Sequence, residues 1–316
     1  MSFTSDAKRE LMHLDTPKCC RLAETAALFA VNGHLSIAQG GVSLTFQTMS
    51  LPLVRKLIAS VKALYGVDVE IVRKQQQKLH KKNLYTVTIR DKAHAIINEL
   101  GLMDETKGFA QDIDSTLLIK ECDQRAFLRG VFLASGSINH PRSSSYHAEM
   151  TVPSRGFAEA LIDLIKSFDI PARMHEKKRG LMVYIKESEK IADLLRVTGA
   201  TKALLTFEDE RIKRDFVNSI TRVMNMELAN QNKTLEAADK QLKDIAVVEN
   251  LLDPSQLPDT LHEAIFLRKK YPESSLSELS ELSAEHFRKR VSKSGLNHRF
   301  RNLHAMAMEV LDEYND

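Results

Sequence analysis

The sequence predicts an α+β fold: a pseudosymmetric tandem repeat of two α-β-β-α-β-β-α halves, followed by an all-α domain that contains a helix-turn-helix. Three observations carry the prediction. Segments with matching apolar residues and glycines recur at a nearly constant offset, the hydrophobic period inside each copy alternates between helical and strand-like, and strand signals vanish after residue 200.

The repeat is anchored on residues 23–35 (AETAALFAVNGHL) and 126–138 (AFLRGVFLASGSI), two short apolar helices that each end at a glycine. Gly33 and Gly136 stand 103 residues apart, and the same offset links Ile58 to Leu161, Val61 to Leu164, Tyr65 to Phe168 and Val67 to Ile170. Beyond the next hairpin the offset falls to 97, linking Leu84 to Leu181 and Ala95 to Ala192, because RKQQQKLHKKN in the first copy faces the shorter HEKKRG in the second. In the first copy, HLSIA and VSLTFQT flank a Gln39-Gly40-Gly41 turn, where glycine serves a positive φ. An amphipathic helix over 51–64, the strands VDVEIV and LYTVTI, and a helix over about 92–100 stopped by Gly101 complete it. The second copy reads likewise: strands SINH and HAEMTV, a helix over 155–168, strands ARMHE and LMVYI, and a helix over 187–197. The glycine-ended helices read by themselves as Ala-rich core helices with C-terminal glycine caps. As a tandem pair, their small residues Ala23, Ala26, Ala27, Ala30, Gly130 and Ala134 would let two backbones approach closely across a pseudo-twofold axis.

After Thr201 come a long polar helix over 208–230, with Phe216, Ile220, Val223 and Met224 on one stripe, and a second helix over 234–252. Asp259 caps a helix to about Lys270 that Pro272 closes, and Ser275 with Glu278 forms a capping box for a short helix carrying Leu276, Leu279 and Leu282. A last helix runs from about Ser294 to Val310 with Leu296, Phe300 and Leu303 inward. The expected divisions are a repeat domain over 1–200 (copies at about 7–101 and 112–200), a connector helix over 201–232, and a helical domain over 233–316 with the helix-turn-helix at about 275–308.

Composition narrows the function. The chain has 316 residues, 43% apolar and 28% charged, a globular balance, and nothing approaches the ~20 apolar residues of a membrane span. The opening MSFTSDAKRELMHL lacks the apolar stretch of a signal peptide, so a cytoplasmic location without membrane association is expected. Cys19, Cys20 and Cys122 make neither an even disulfide set nor a C-x-x-C spacing; they read as buried thiols of a reducing compartment, and no metal or cofactor is expected.

A net charge of +3 is mild, so nucleic-acid contact must be read from local clusters. Residues 286–308 hold Arg288, Lys289, Arg290, Lys293, Arg299 and Arg301 with no acid, whereas Glu273, Glu278, Glu281 and Glu285 precede the turn. That polarity and the turn make the last helix the candidate recognition helix for double-stranded DNA, against the plainer reading of a basic surface helix in a three-helix bundle. Its candidate contacts are Arg288, Lys289, Arg290, Ser292, Lys293, Ser294, Asn297, His298, Arg299 and Arg301; Asn297 suits adenine, Arg299 guanine or phosphate. Two hairpin tips are also basic: Arg73, Lys74, Lys78, Lys81 and Lys82 in the first copy, Lys177, Lys178 and Arg179 in the second. Auxiliary phosphate contact and simple solubility both account for them.

Aligned on its closing glycines, the repeat resembles the LAGLIDADG homing-endonuclease fold, with the motif at residues 25–33 (TAALFAVNG) and 128–136 (LRGVFLASG). In that family an acid precedes each glycine and the two acids hold divalent ions. Here the positions are Asn32 and Ser135, which supply no negative charge, so the resemblance implies a fold that has lost nuclease chemistry. A displaced acid such as Glu149 would compensate only at the helix ends, and nothing in the spacing puts it there.

The degenerate repeat, the connector run with Asn218, Arg222, Asn225, Glu227, Ala229, Asn230 and Lys233, and SKSGLNHR at 292–299 together resemble the WhiA family over essentially the whole chain. The stretch before SKSG, AEHFRKRV, is longer than is usual there. The resemblance implies a bacterial DNA-binding regulator tied to cell division, chromosome segregation and, in some lineages, sporulation, located at the nucleoid. Two rival readings are a scaffold that meets a protein partner through the repeat, attached nonspecifically to DNA, and a residual metal-dependent nuclease. Because the repeat supplies two halves in one chain, a monomer is expected.

Overall fold

Small side chains at helical spacing make a helix that can be buried on most of its circumference. In the computed structural model, which describes residues 2–38, 41–75, 83–104, 108–109, 113–177, 180–253, 255 and 257–315, two such helices form the centre of the N-terminal part. They are α2 (Lys18–Asn32) and α5 (Glu121–Ser135), preceded by α1 (Phe3–Met12). α2 buries Cys20, Ala23, Ala26, Ala27, Leu28, Phe29 and Ala30, and α5 buries Ala126, Phe127, Leu128, Val131, Phe132 and Leu133. A Cβ built on Gly130 would lie 2.6 Å from the Glu24 carbonyl oxygen and 2.7 Å from the Ala27 Cβ, so no side chain fits where the two helices meet. Charge is buried at the same place. Arg129 Nε donates to Glu24 Oε2 at 2.6 Å, and Lys56 Nζ lies 3.0 Å from Glu24 Oε1.

The glycines that end the two helices do not act as left-handed caps. Gly33 (φ −86°, ψ 152°) and Gly136 (φ −65°, ψ 147°) are extended. They are required because a Cβ would strike the backbone of Phe29 at the first and the Phe132 carbonyl oxygen and ring at the second. The absence of a side chain, rather than freedom in φ, lets the chain pass directly from helix into strand.

From Gly33 the first half continues through β1 (Gly33–Ala38), β2 (Gly41–Thr48), α3 (Leu51–Tyr65), β3 (Glu70–Gln75), β4 (Asn83–Ile89) and α4 (Ala93–Glu99). Its sheet is antiparallel in the order β1-β2-β4-β3. Alternation places Leu44, Phe46, Val87 and Ile89 in the core and turns Ser43, Thr45 and Gln47 to the other face. Two short strands, β5 (Met103–Asp104) and β6 (Gly108–Phe109), lie in the link to the second half. That half repeats the plan with β7 (Gly136–Ile138), β8 (Ala148–Val152), α6 (Arg155–Lys166), β9 (Arg173–Lys177), β10 (Gly180–Ile185) and α7 (Ser188–Thr198), in the order β7-β8-β10-β9.

The chain divides into two compact units, residues 1–215 and 216–316. Helix α8 (Thr201–Leu251) begins in the first and ends in the second. The carboxylate of Glu10 on α1 accepts from the Lys202 and Ala203 backbone N–H groups at 2.7 and 3.0 Å, satisfying donors that every helix leaves open at its start. The two helices expected over 208–230 and 234–252 are one: the intervening QNK holds neither glycine nor proline, and its polar residues stand exposed without breaking the backbone ladder. The stripe of Phe216, Ile220, Val223 and Met224 is exposed.

In the second unit α9 (Asp259–Lys270), α10 (Leu276–Phe287) and α11 (Lys293–Asn315) close over a core of Ile245, Val248, Leu261, Leu267, Leu279, Leu296, Phe300 and Leu303. Helix α11 starts one residue earlier and runs five further than the sequence suggests. The AEHF stretch belongs to α10, leaving residues 288–292 as the turn. Of the cysteines read as buried thiols, all three are free, but only Cys20 is buried; Cys19 is half-buried and Cys122 exposed.

Candidate nucleic-acid interface

The turn between α10 and α11 is held by polar groups the sequence does not flag. Arg288 ends α10 in the left-handed region at φ 54°. Val291 follows with both backbone groups engaged: its N–H donates to Ser283 Oγ at 2.8 Å, and its carbonyl accepts from Ser280 Oγ at 2.6 Å. Ser283 Oγ in turn donates to the Ser280 carbonyl at 2.7 Å, and both serines are buried. Ser292 Oγ then accepts from the Gly295 N–H at 3.1 Å and caps α11. At the other end of α10 the capping box forms as its sequence implies. Glu278 N donates to Ser275 Oγ at 3.2 Å, and Ser275 N donates to Glu278 Oε2 at 2.6 Å, which holds the Glu278 carboxyl below its ordinary value.

Arg268 fixes α9 to this frame. Its guanidinium is fully buried and donates to Gln241 Oε1 and to the carbonyls of Tyr271, Pro272 and Ser274, the last at 2.6 Å. It also lies over the Phe300 ring, 5.5 Å from the centroid. Burial pulls its pKa below the ordinary arginine value.

With Leu296, Phe300 and Leu303 turned inward, the opposite side of α11 presents Lys293, Ser294, Asn297, His298 and Arg301, all exposed and one helical turn apart. Arg288, Lys289, Arg290 and Ser292 are exposed in the turn just before it. Lys293 and Ser294 stand in the first turn of α11, where the helix dipole favours an anion. Nine of the ten residues read from the sequence as DNA contacts are thus brought to a continuous exposed surface. Arg299 is the exception. Its side chain is 17% exposed and its Nη1 donates to Glu263 Oε2 of α9 at 2.7 Å. Spacing alone could not show that commitment, because Glu263 is 36 residues away.

In the first unit Asn32 and Ser135 are the last residues of α2 and α5. Asn32 Nδ2 donates across the helix pair to the Ala134 carbonyl at 3.2 Å, and Ser135 Oγ turns back to the Val131 carbonyl at 3.4 Å. Glu149 lies closer to these ends than the spacing implies, opposite Ser137 in the β7–β8 register. It is already engaged by Lys177 Nζ at 2.9 Å and His147 Nε2 at 3.1 Å, and the bond from Lys177 holds its carboxyl below the usual range. Of the basic hairpin residues, Arg73 and Lys74 are exposed on β3, with Arg73 Nε bonded to Asn83 Oδ1, and Lys177 ends β9. Lys78, Lys81, Lys82, Lys178 and Arg179 lie outside the described residues. Among the described residues no helix is long and apolar enough to cross a membrane.

Comparison with known proteins agrees with this architecture along the whole chain. Residues 18–103 match the WhiA N-terminal LAGLIDADG-like domain, residues 124–217 the WhiA LAGLIDADG-like domain, and residues 220–307 the WhiA C-terminal HTH domain. A protein of Oceanobacillus iheyensis named probable cell division protein WhiA is 40% identical over 310 residues, covering 98% of both chains. One of the same name from Brevibacillus brevis is 38% identical over 315 residues, covering 100% of this chain and 99% of its own. The crystal structure of full-length DUF199/WhiA from Thermatoga maritima superposes with a TM-score of 0.59 at 20% identity, over 98% of this chain and 99% of that one, which shows the shared fold. Two degenerate LAGLIDADG-like halves, a helix-turn-helix and full-length relatives place this chain in the WhiA family.

Proposed function

We propose that the chain is a sequence-specific DNA-binding regulator whose helix-turn-helix reads the major groove. The observation that carries this is the acid-free exposed stripe of Lys293, Ser294, Asn297, His298 and Arg301 on α11, entered through a cationic turn whose backbone is fixed by Ser280 and Ser283. Asn297 offers the amide that pairs with adenine, and the lysine and arginines engage phosphates and guanine edges. Arg299 acts in this reading as a positioning residue that ties α11 to α9 through Glu263.

The repeat domain, taken as residues 1–200, acts as an auxiliary surface for DNA or a protein partner and not as a nuclease. Asn32 and Ser135 carry no charge for a divalent ion, and Glu149 is neutralised by Lys177. The relatives' name supports a role in cell division. In this reading that role is exercised at the nucleoid by a monomer without a catalytic cofactor.

The test is to incubate purified protein with sheared genomic DNA at near-physiological salt and magnesium, recover bound fragments, and sequence their positions and ends. Enrichment at a limited set of intact sites is expected. A flat profile would replace the regulator by a nonspecifically attached scaffold, and fragments newly cut at fixed positions would restore nuclease activity.

A further inference from the structure

The repeat does more than duplicate the fold: it duplicates a pair of ligand positions. The 103-residue offset that maps Gly33 onto Gly136 maps Cys19 onto Cys122 and Cys20 onto Asp123. These are the second and third residues of α2 and of α5. Because the two helices pack against each other across the pseudo-twofold axis, both pairs arrive at one place, at the opposite ends of the helices from Asn32 and Ser135. The three sulfurs and a carboxylate oxygen of Asp123 all lie within 4.8 Å of one another. Cys19 Sγ is 4.0 Å from Cys20 Sγ, Cys122 Sγ is 3.5 Å from Asp123 Oδ1, and Cys20 Sγ donates to the Cys122 carbonyl at 3.5 Å.

The Cys19–Cys20 sulfur pair at 4.0 Å and the Cys122–Asp123 sulfur–oxygen pair at 3.5 Å are close to two edges of a tetrahedral site, and the remaining pairs, all within 4.8 Å, need to draw in by at most about 1 Å to complete it. Metal–sulfur bonds of about 2.3 Å and metal–oxygen bonds of about 2.1 Å put two sulfur ligands about 3.8 Å apart and a sulfur and an oxygen about 3.6 Å apart. Asp123 is 6% exposed, and among the described residues no lysine or arginine forms an ion pair with it. The Asp123 carboxylate accepts from the Cys122 thiol in the first turn of α5 and has no side-chain cation of the kind that Glu24, one turn along α2, obtains from Arg129 and Lys56. Three thiols with one carboxylate suit a soft d10 cation; calcium and magnesium demand six or more oxygens. Cys122 is exposed and Cys19 half-buried, so an ion has a way in.

We infer that Cys19, Cys20, Cys122 and Asp123 form a structural site for a thiophilic divalent cation of the zinc type, stapling the first turns of α2 and α5 across the pseudo-twofold axis. Each thiol releases its proton to solvent as its sulfur binds. With four protein ligands the site is closed, so its role is to clamp the two halves together, not to activate water. Nothing in this inference depends on the DNA-binding reading.

The test uses the full-length chain, treated with chelator and reductant, with three free thiols confirmed by a thiol-reactive dye. It is titrated with cobalt(II) as a spectroscopic stand-in and then with zinc. The expected result is saturation at one equivalent, with thiolate-to-cobalt absorption in the near ultraviolet, the visible bands of tetrahedral cobalt, and their loss on adding one equivalent of zinc. Cys122→Ser, at an exposed position that leaves the core untouched, should weaken cobalt binding by more than ~10-fold with the circular dichroism spectrum unchanged. Asp123→Asn should weaken it while keeping the thiolate bands. A folded, fully reduced wild type without thiolate bands at one equivalent would overturn the proposal, as would equal binding by wild type and Cys122→Ser.

Discussion

Ser283→Ala isolates what holds helix α11 in place. The side chain is 0% exposed and its hydroxyl works twice, accepting from the Val291 N–H at 2.8 Å and donating to the Ser280 carbonyl at 2.7 Å. Alanine fills nearly the same space, so no cavity term enters and the loss is one of hydrogen bonding. Val291 is 8% exposed, and its N–H would be left without an acceptor and out of reach of bulk water. An unsatisfied buried donor costs about 1–3 kcal/mol. Native-state hydrogen exchange of full-length protein reads this directly, since exchange through opening of the turn accelerates by the same free energy, roughly 5- to 150-fold over 276–296. Ser277→Ala, exposed on the same helix, serves as the control and should shift exchange little. Unchanged protection in Ser283→Ala, or equal effects of the two substitutions, would refute the claim that these serines fix the turn.

Three further outcomes follow from the first unit. Glu24→Ala strands the buried Arg129 and half-buried Lys56 without their shared carboxylate and should lower unfolding free energy by about 3–5 kcal/mol in chemical denaturation. Gly130→Ala inserts a methyl 2.6 Å from the Glu24 carbonyl oxygen and should destabilise by about 1–3 kcal/mol, with a shift in the denaturation midpoint. Lys8, packed over the Phe132 ring, is pushed by burial from an ordinary 10.5 down to about 8. Its folded value lies below the unfolded one, so its contribution is complete above about pH 10.5 and is lost as pH falls through about 8. The stability of wild type relative to Lys8→Met should therefore drop across that window, and a flat difference would count against it.

Much of the architecture is legible in the chain because it is periodic. Offsets of 103 and 97 locate both halves, and the strand-like segments HLSIA, VSLTFQT and LMVYI are β1 and β2 of the first sheet and β10 of the second. Local chemistry is legible where it acts over three or four residues, as in the capping box of Ser275 and Glu278. What spacing does not carry is partnership between distant residues. Arg299 reads as a free DNA-contacting cation until α9 brings Glu263 to it, and nothing local marks Arg268 as the buried donor that the chain folds Ser274 back over. The glycines at 33 and 136 read as C-terminal helix caps, the common reason for glycine at such a place, whereas steric exclusion by Phe29 and Phe132 is the reason here. The cysteine cluster was within reach: applying the repeat offset to Cys19 and Cys20 lands on Cys122 and Asp123, a signal that a search for C-x-x-C spacing passes over.

The central claim is that the exposed face of α11 contacts DNA. Its most direct test is the salt dependence of affinity on a duplex recovered from the genomic selection, measured for wild type and for the double variant Lys293→Ala/Arg301→Ala. Neither side chain touches the core, so both proteins should fold alike. If each cation neutralises one phosphate, the slope of log affinity against log salt falls in magnitude by about 1.8, and binding at low salt weakens while Asn297 still reads its base. Identical slopes and affinities for the two proteins would contradict the account and move DNA contact away from α11.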